Sequence, residues 1–158
     1  MDNWMNEHLA AYNQSSKQMD EIYHQYAKRH GLSDTFLWLL YSLQEGDTAY
    51  TQRELCAIWH FAPQTLNSAL KSMERQGYIT LEPVSGNRKN KRVQLTAQGR
   101  LLSERVVLPL MQAEGQSLQC LSPQERAALL CLTQKYLGFL QDEINRIFEL
   151  SSEDGSSQ

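Results

Sequence analysis

Apolar side chains recur at roughly helical spacing through the first thirty positions. Leu9, Tyr12, Met19, Ile22, Tyr23 and Tyr26 fall in a stretch, residues 4–29, that holds neither Gly nor Pro. That pattern predicts one long helix, closed near Gly31, where a left-handed backbone is easily adopted. Ser33 is placed to cap a second helix over residues 34 to about 44, with Phe36, Leu37, Leu39, Leu40 and Leu43 mostly buried; Gly46-Asp47 marks its end. Thr51-Gln52-Arg53-Glu54 has the form of a capping box. It opens a short helix to about His60, with Leu55 and Ile58 expected to face inward. Pro63 then stands where a first helical turn can begin, since its missing N–H has no intrahelical partner there. The helix that follows, residues 64–76, stops at Gly77. Only a few residues separate it from the short helix, the connection of a helix-turn-helix.

The period then shortens to two. Residues 78–84 and 93–96 alternate and are rich in strand formers, and between them residues 85–92 are polar and basic. A β-hairpin with a long loop is predicted, a wing. Thr96 can cap a helix from residue 97 to near 120 that carries Leu101, Leu102, Val106, Leu108 and Leu110 and is kinked at Pro109. Ser122-Pro123-Gln124-Glu125 signals the start of a last helix, running to about residue 150. Residues 151–158 have no apolar side chain and are expected to be disordered. The fold class is therefore mainly α with a small β-hairpin wing.

On the helix after the turn, Leu66, Leu70 and Met73, with Ala69 beside them, form one apolar stripe. Gln64, Thr65, Asn67, Ser68, Lys71, Ser72 and Arg75 fill the opposite face, which holds no carboxylate; Glu74 lies to one side. Amides, hydroxyls and cations are the groups that read base edges and phosphates in a major groove. The wing adds Asn87, Arg88, Lys89, Lys91 and Arg92. Such cations displace condensed counterions from phosphate, and one at a hairpin tip can enter a narrow minor groove. The net charge of the chain is −3, but six basic and two acidic residues leave residues 62–92 at +4 and everything else at −7. A local positive field on an acidic body still steers docking onto double-stranded DNA.

Residues 65–99 resemble the MarR family of bacterial winged helix-turn-helix regulators. The resemblance is carried by Leu70-Lys71-Ser72-Met73-Glu74-Arg75-Gln76-Gly77-Tyr78-Ile79, by Val93-Gln94-Leu95-Thr96 and by Gly99. Chain length and the flanking long helices agree with it. The family's wing usually carries Asp-x-Arg, and the matching positions here hold Asn87 and Lys89, with Arg88 between them. The resemblance implies residues 1–30 as an N-terminal dimerisation helix, 31–99 as the DNA-binding domain, 100–150 as C-terminal dimerisation helices and 151–158 as a tail. It further implies a homodimeric, ligand-responsive repressor on a pseudo-palindromic operator. An aromatic or lipophilic effector is the implied ligand, with Tyr23, Tyr26, Trp38, Tyr41 and Trp59 as a candidate ligand pocket; the competing expectation is that these rings are core packing. Independently, Leu129, Leu130, Leu132, Leu137, Leu140, Ile144, Ile147 and Phe148 offer more apolar surface than one thin bundle can bury, which points to a self-association face.

Other chemistry finds little support. No run of 18 apolar residues exists, so no membrane span is expected, and the unremarkable N-terminus predicts a cytoplasmic protein. Cys56, Cys120 and Cys131 are odd in number and widely spaced, which argues for buried thiols over disulfides or zinc. His8, His24, His30 and His60 lack the spacing of a helical metal pair, and no acid–base–nucleophile set is legible. The chain is read as no enzyme, with no cofactor. The alternative to DNA binding is a winged helix that serves only as a protein-interaction module; the wing charges argue against it.

Overall fold

The computed structural model describes residues 3–45, 50–84 and 87–154, and the side chains of these except residues 45, 84–90 and 151–154. Among the described residues six helices and three strands follow in the order α1 (Asn3–Arg29), α2 (Asp34–Glu45), β1 (Tyr50–Thr51), α3 (Gln52–Trp59), α4 (Pro63–Arg75), β2 (Ile79–Val84), β3 (Asn87–Leu95), α5 (Ala97–Gln119) and α6 (Pro123–Asp154). Contacts divide the chain into two units, residues 1–111 and 112–158, with α5 continuing from one into the other.

Within the first unit, the helix boundaries follow local chemistry. Gly31 closes α1 at φ +70°, with Leu32 N–H donating to Ala27 O and Gly31 N–H to Lys28 O, a Schellman pair. Ser33 Oγ accepts from Phe36 N–H and caps α2. Thr51 and Glu54 form the reciprocal box at α3. The predicted break at Gly46-Asp47 lies outside the described residues.

The core is built from the end of α1, from α2, α3 and α4, the hairpin and the first half of α5, with Ala27 as the contribution of α1. Phe36, Leu37, Leu39, Leu40, Leu43, Leu55, Leu66, Leu70, Met73, Ile79, Val93, Leu102, Val106, Val107 and Leu110 are all buried in it. Ile58 departs from expectation at 48% exposed. On so short a helix the inward stripe is Leu55 and Trp59, four residues apart, with Trp59 stacked on Trp38 of α2, and this turns Ile58 outward.

The hairpin also differs from prediction. β3 begins at Asn87, so the basic stretch is strand rather than loop, and only residues 85–86 separate the two strands. Antiparallel pairing needs backbone groups and no particular side chain, and no Gly or Pro interrupts residues 87–95. The register pairs Ile79 with Leu95, Leu81 with Val93 and Glu82 with Arg92, then shifts between Pro83 and Val84. β1 has no counterpart in the sequence pattern, because two residues are too short to show a period. It pairs Tyr50 with Val93 and Thr51 with Arg92, so β3 lies at the centre of a three-stranded antiparallel sheet.

In the second unit, Ser122 and Glu125 form a second capping box at the start of α6, and Arg126 Nη1 donates to the carbonyls of Leu118 and Leu121. No described side chain of residues 112–150 is buried. α6 runs to Asp154, four residues beyond the sequence-based end, because nothing before Gly155 breaks it and extending an existing helix is cheap. No helix among the described residues is long and apolar enough to cross a membrane.

Candidate nucleic-acid interface

α3, a three-residue turn and α4 form the helix-turn-helix. His60 makes the turn by adopting a left-handed backbone, φ 51° and ψ 27°, where glycine would be expected. The entry to α4 has Ala62 at the cap and Pro63 in the first turn, with no side-chain acceptor on the opening amides. Its apolar stripe, Leu66, Leu70 and Met73, is buried. Gln64, Thr65, Asn67, Ser68, Lys71 and Arg75 are all exposed. Ser72 is half-buried, and its hydroxyl accepts from Gln76 Nε2 at 2.9 Å. The helix therefore projects a row of amide, hydroxyl and cationic groups, with Glu74 the one exposed acid on it.

α4 ends on a second Schellman pair: Gly77 at φ +77°, Tyr78 N–H to Met73 O and Gly77 N–H to Glu74 O. Thr96 then ties hairpin, α4 and α5 together. Its hydroxyl donates to Gly77 O at 2.6 Å and accepts from Gly99 N–H at 3.0 Å, while its own N–H donates to Tyr78 O. Gly99 packs so tightly that a methyl group there would lie 1.9 Å from Tyr78 O. The Thr-x-x-Gly motif is thus the joint that holds the wing against α4. On β3, Val93 is buried and Lys91 shares its face, half-buried, whereas Arg92 is exposed on the other. Arg92 lies opposite Glu82, and its charge helps to hold the Glu54 carboxyl below the usual range; the larger causes are hydrogen bonds from the Thr51 amide and hydroxyl. Asn87, Arg88 and Lys89 lie in β3, and their side chains are outside those described.

Residues 30–89 match the family model described as the MarR family. That match spans α2 to the first part of β3. The fold agrees over most of the chain. AbsC, a MarR family transcriptional regulator from Streptomyces coelicolor, superposes with a TM-score of 0.76 at 13% identity, covering 90% of this chain and 97% of that one. The MepR of the S. aureus MepR–DNA complex gives 0.71 at 19% identity, with 84% and 97% covered. A further MarR family transcription regulator gives 0.74 at 16%, with 90% and 94% covered. No curated protein sequence matches significantly.

In this fold the five candidate pocket aromatics make two sets of contacts. Trp38 stacks on Trp59 with centroids 4.7 Å apart and meets Tyr23 edge-on at 4.7 Å and Tyr41 at 5.6 Å. The Trp59 indole N–H donates to Ser42 Oγ. These four rings clip α1, α2 and α3 together. Tyr26 lies elsewhere: its hydroxyl donates to Val106 O of α5 at 2.8 Å, its ring packs on His30, and burial raises its pKa. A cleft of about 260 Å³ is lined by other residues, Tyr78, Gln98, Leu101, Leu102 and Arg105. Of the thiols expected to be buried, Cys56 is partly so, but Cys120 and Cys131 are exposed, because they lie in the unit without a core. His24 Nδ1 is 3.1 Å from Asp34 and joins α1 to α2.

Proposed function

We propose that two copies of this chain bind double-stranded DNA sequence-specifically as a transcriptional regulator of the repressor type, whose affinity a small ligand lowers. The observation that carries this reading is the solvent-facing row on α4, rich in hydrogen-bonding groups and cations, held beside a basic hairpin by the Thr96–Gly99 joint. Gln64, Thr65, Asn67, Ser68 and Ser72 contact base edges and nearby phosphates, and Lys71 and Arg75 reach guanine or phosphate. Arg88 and Lys89 take the minor groove from the wing, with Asn87, Lys91 and Arg92 supporting it. The MarR-family match of residues 30–89 and the likeness of the fold to a regulator solved on DNA support the same reading.

Self-association is supported by exposed apolar side chains in each unit: Trp4, Met5, Leu9, Met19 and Ile22 on α1, and Leu129, Leu130, Leu132, Leu137, Phe139, Leu140 and Ile144 on α6. A surface this apolar is unusual on a monomer. A two-fold dimer presents two α4 helices to half-sites about one helical turn apart.

Titration of labelled duplexes selected from a random pool, across salt concentrations, tests the proposal. Arg88→Ala and Lys89→Ala are expected to weaken binding on every sequence and each lower the salt slope by about 1; Asn67→Ala and Ser68→Ala are expected to relax preference at particular base pairs. Absence of binding to any duplex at low salt would favour a protein-interaction module instead.

A further inference from the structure

Residues 50–96 hold three acids, and two of them, Glu54 and Glu82, stand beside one cation of the wing, Arg92. Glu82 on β2 lies directly across from Arg92 in the antiparallel register, so the two side chains leave the same face of the sheet. On its other side Arg92 is paired with Thr51 of β1. Thr51 is the capping residue that fixes Glu54: its N–H donates to Glu54 Oε2 at 2.6 Å, and its hydroxyl accepts from Glu54 N–H at 3.3 Å. Those bonds do most to hold the Glu54 carboxyl below the usual carboxylate range, and the charge of Arg92 adds a smaller part. β1 pairs only with Arg92 and Val93, so on the tip side of Arg92 the sheet narrows to the two strands of the hairpin. Arg92 therefore stands at the root of the wing, where the hairpin leaves β1 and α3, with a carboxylate to either side.

We infer that Arg92 is a positioning residue, which ties the root of the wing to α3 through Glu54 and Glu82 and takes no phosphate itself. All three side chains are exposed, and among the described residues Arg92 makes no close ion pair. The tie acts between neighbouring charges in water, so it is modest and screened by salt. Its place gives it weight. Glu54 on α3 and Glu82 on β2 carry like charges; without a cation between them they push helix and hairpin apart, and their field opposes an approaching phosphate. With Arg92 between them, the wing root is drawn toward the helix that opens the helix-turn-helix. The duplex is then left to Arg88 and Lys89, which lie nearer the tip of the hairpin. The consequence for DNA rests on the proposed function; the tie itself does not.

The test uses the full chain and labelled duplexes selected from a random pool, with Arg92→Gln made alone and in a Glu54→Gln, Glu82→Gln background. Gln at position 54 keeps the capping box, and all three positions are exposed, so the fold should survive. Arg92→Gln is expected to weaken binding about threefold in the wild-type background and less than about 1.5-fold once both acids are neutral. Lys89→Ala, a phosphate contact on the proposed reading, should weaken binding equally in both backgrounds. Arg92→Lys should bind like wild type, because a tie through charge needs no planar fork. Two readouts need no DNA. In Arg92→Gln the Glu54 carboxyl should titrate at higher pH by NMR, though still below the usual range because Thr51 remains, and the amides where β1 meets β3 should exchange faster with solvent. The inference is overturned if Arg92→Gln leaves duplex binding unchanged, or weakens it as much with both acids neutral, which is the behaviour of a phosphate contact. It is also overturned if neither the Glu54 titration nor the amide exchange moves. A wild-type chain that binds no duplex, with the Glu54 shift present, would sink the DNA reading alone and leave the tie standing.

Discussion

Two stretches of this chain are both rich in leucine, and only one makes a core. All the buried apolar residues lie at or before Leu110, and α6 buries none of its described side chains. The contrast is one of partners. α4 places Leu66, Leu70 and Met73 against α2, α3 and β2 and leaves its polar face to solvent. α6 carries Leu129, Leu130, Leu132, Leu137, Phe139 and Leu140 around a single rod. An amphipathic stripe becomes a core only where a second surface covers it. The first unit supplies that surface from within; on the proposed reading, the second takes it from another copy.

The sharpest way to break this comparison is to truncate one leucine on each side. Leu70→Ala, fully buried, is expected to cost about 2–5 kcal/mol in urea unfolding. Leu137→Ala, over half exposed, should change the stability of the single chain by less than ~0.5 kcal/mol, with its effect visible instead as easier dimer dissociation in sedimentation. Equal losses of chain stability would mean that α6 is buried within its own chain. Next in size is Gly99→Ala. A methyl group 1.9 Å from the Tyr78 carbonyl forces backbone apart, at about 3 kcal/mol; an unchanged melting temperature would rule out the tight joint.

The two capping boxes offer a matched pair, one in each unit. Thr51→Ala and Ser122→Ala should each cost about 1 kcal/mol. The pH dependence follows from the same contacts. Backbone and side-chain hydrogen bonds from Thr51 hold the Glu54 carboxyl below its usual pKa, and those from Ser122 do so for Glu125. A carboxyl depressed in the folded state stabilises above its unfolded pKa of about 4.3 and loses that contribution as pH falls through the lower folded value. Wild type should therefore lose stability below about pH 4.3, and the Glu54→Gln, Glu125→Gln double variant should lose less over that range in parallel melts. A smaller effect of opposite sign is expected at Ser103. Its hydroxyl is fully buried on α5 and, among the described residues, has no hydrogen-bond partner. Ser103→Ala should be neutral or raise stability by up to about 1 kcal/mol, and a loss beyond that would reveal a partner.

Much of this contrast is legible in the amino-acid sequence. Thr51–Glu54 and Ser122–Glu125 mark two helix starts because capping is a contact between residues three apart. The buried stripe of α4 follows from its period, and Gly31 and Gly77 stand where left-handed backbone is needed. The family motif points to Thr96 and Gly99 but not to their task, which needs the Gly77 and Tyr78 carbonyls brought alongside. What the sequence does not reveal depends on neighbours far along the chain. Ile58 and Trp59 are both large hydrophobic residues, and the Trp38 ring and Ser42 hydroxyl on α2 select which turns inward. The basic stretch looks like a loop until β2 pairs with Asn87, Lys91 and Arg92.

Taken alone, then, the order of residues determined what depends on contacts within a turn or two: where helices begin and end, which face of α4 is apolar, and that its other face and the wing are cationic. Tertiary structure decided what depends on contacts between segments: β1, the length of the wing, the separation of Tyr26 from the other four rings, and the cleft at Arg105. The division has one cause. A capping hydrogen bond or a helical stripe is closed by residues a few positions apart and leaves its pattern in the chain, whereas burial is conferred by whatever segment packs opposite.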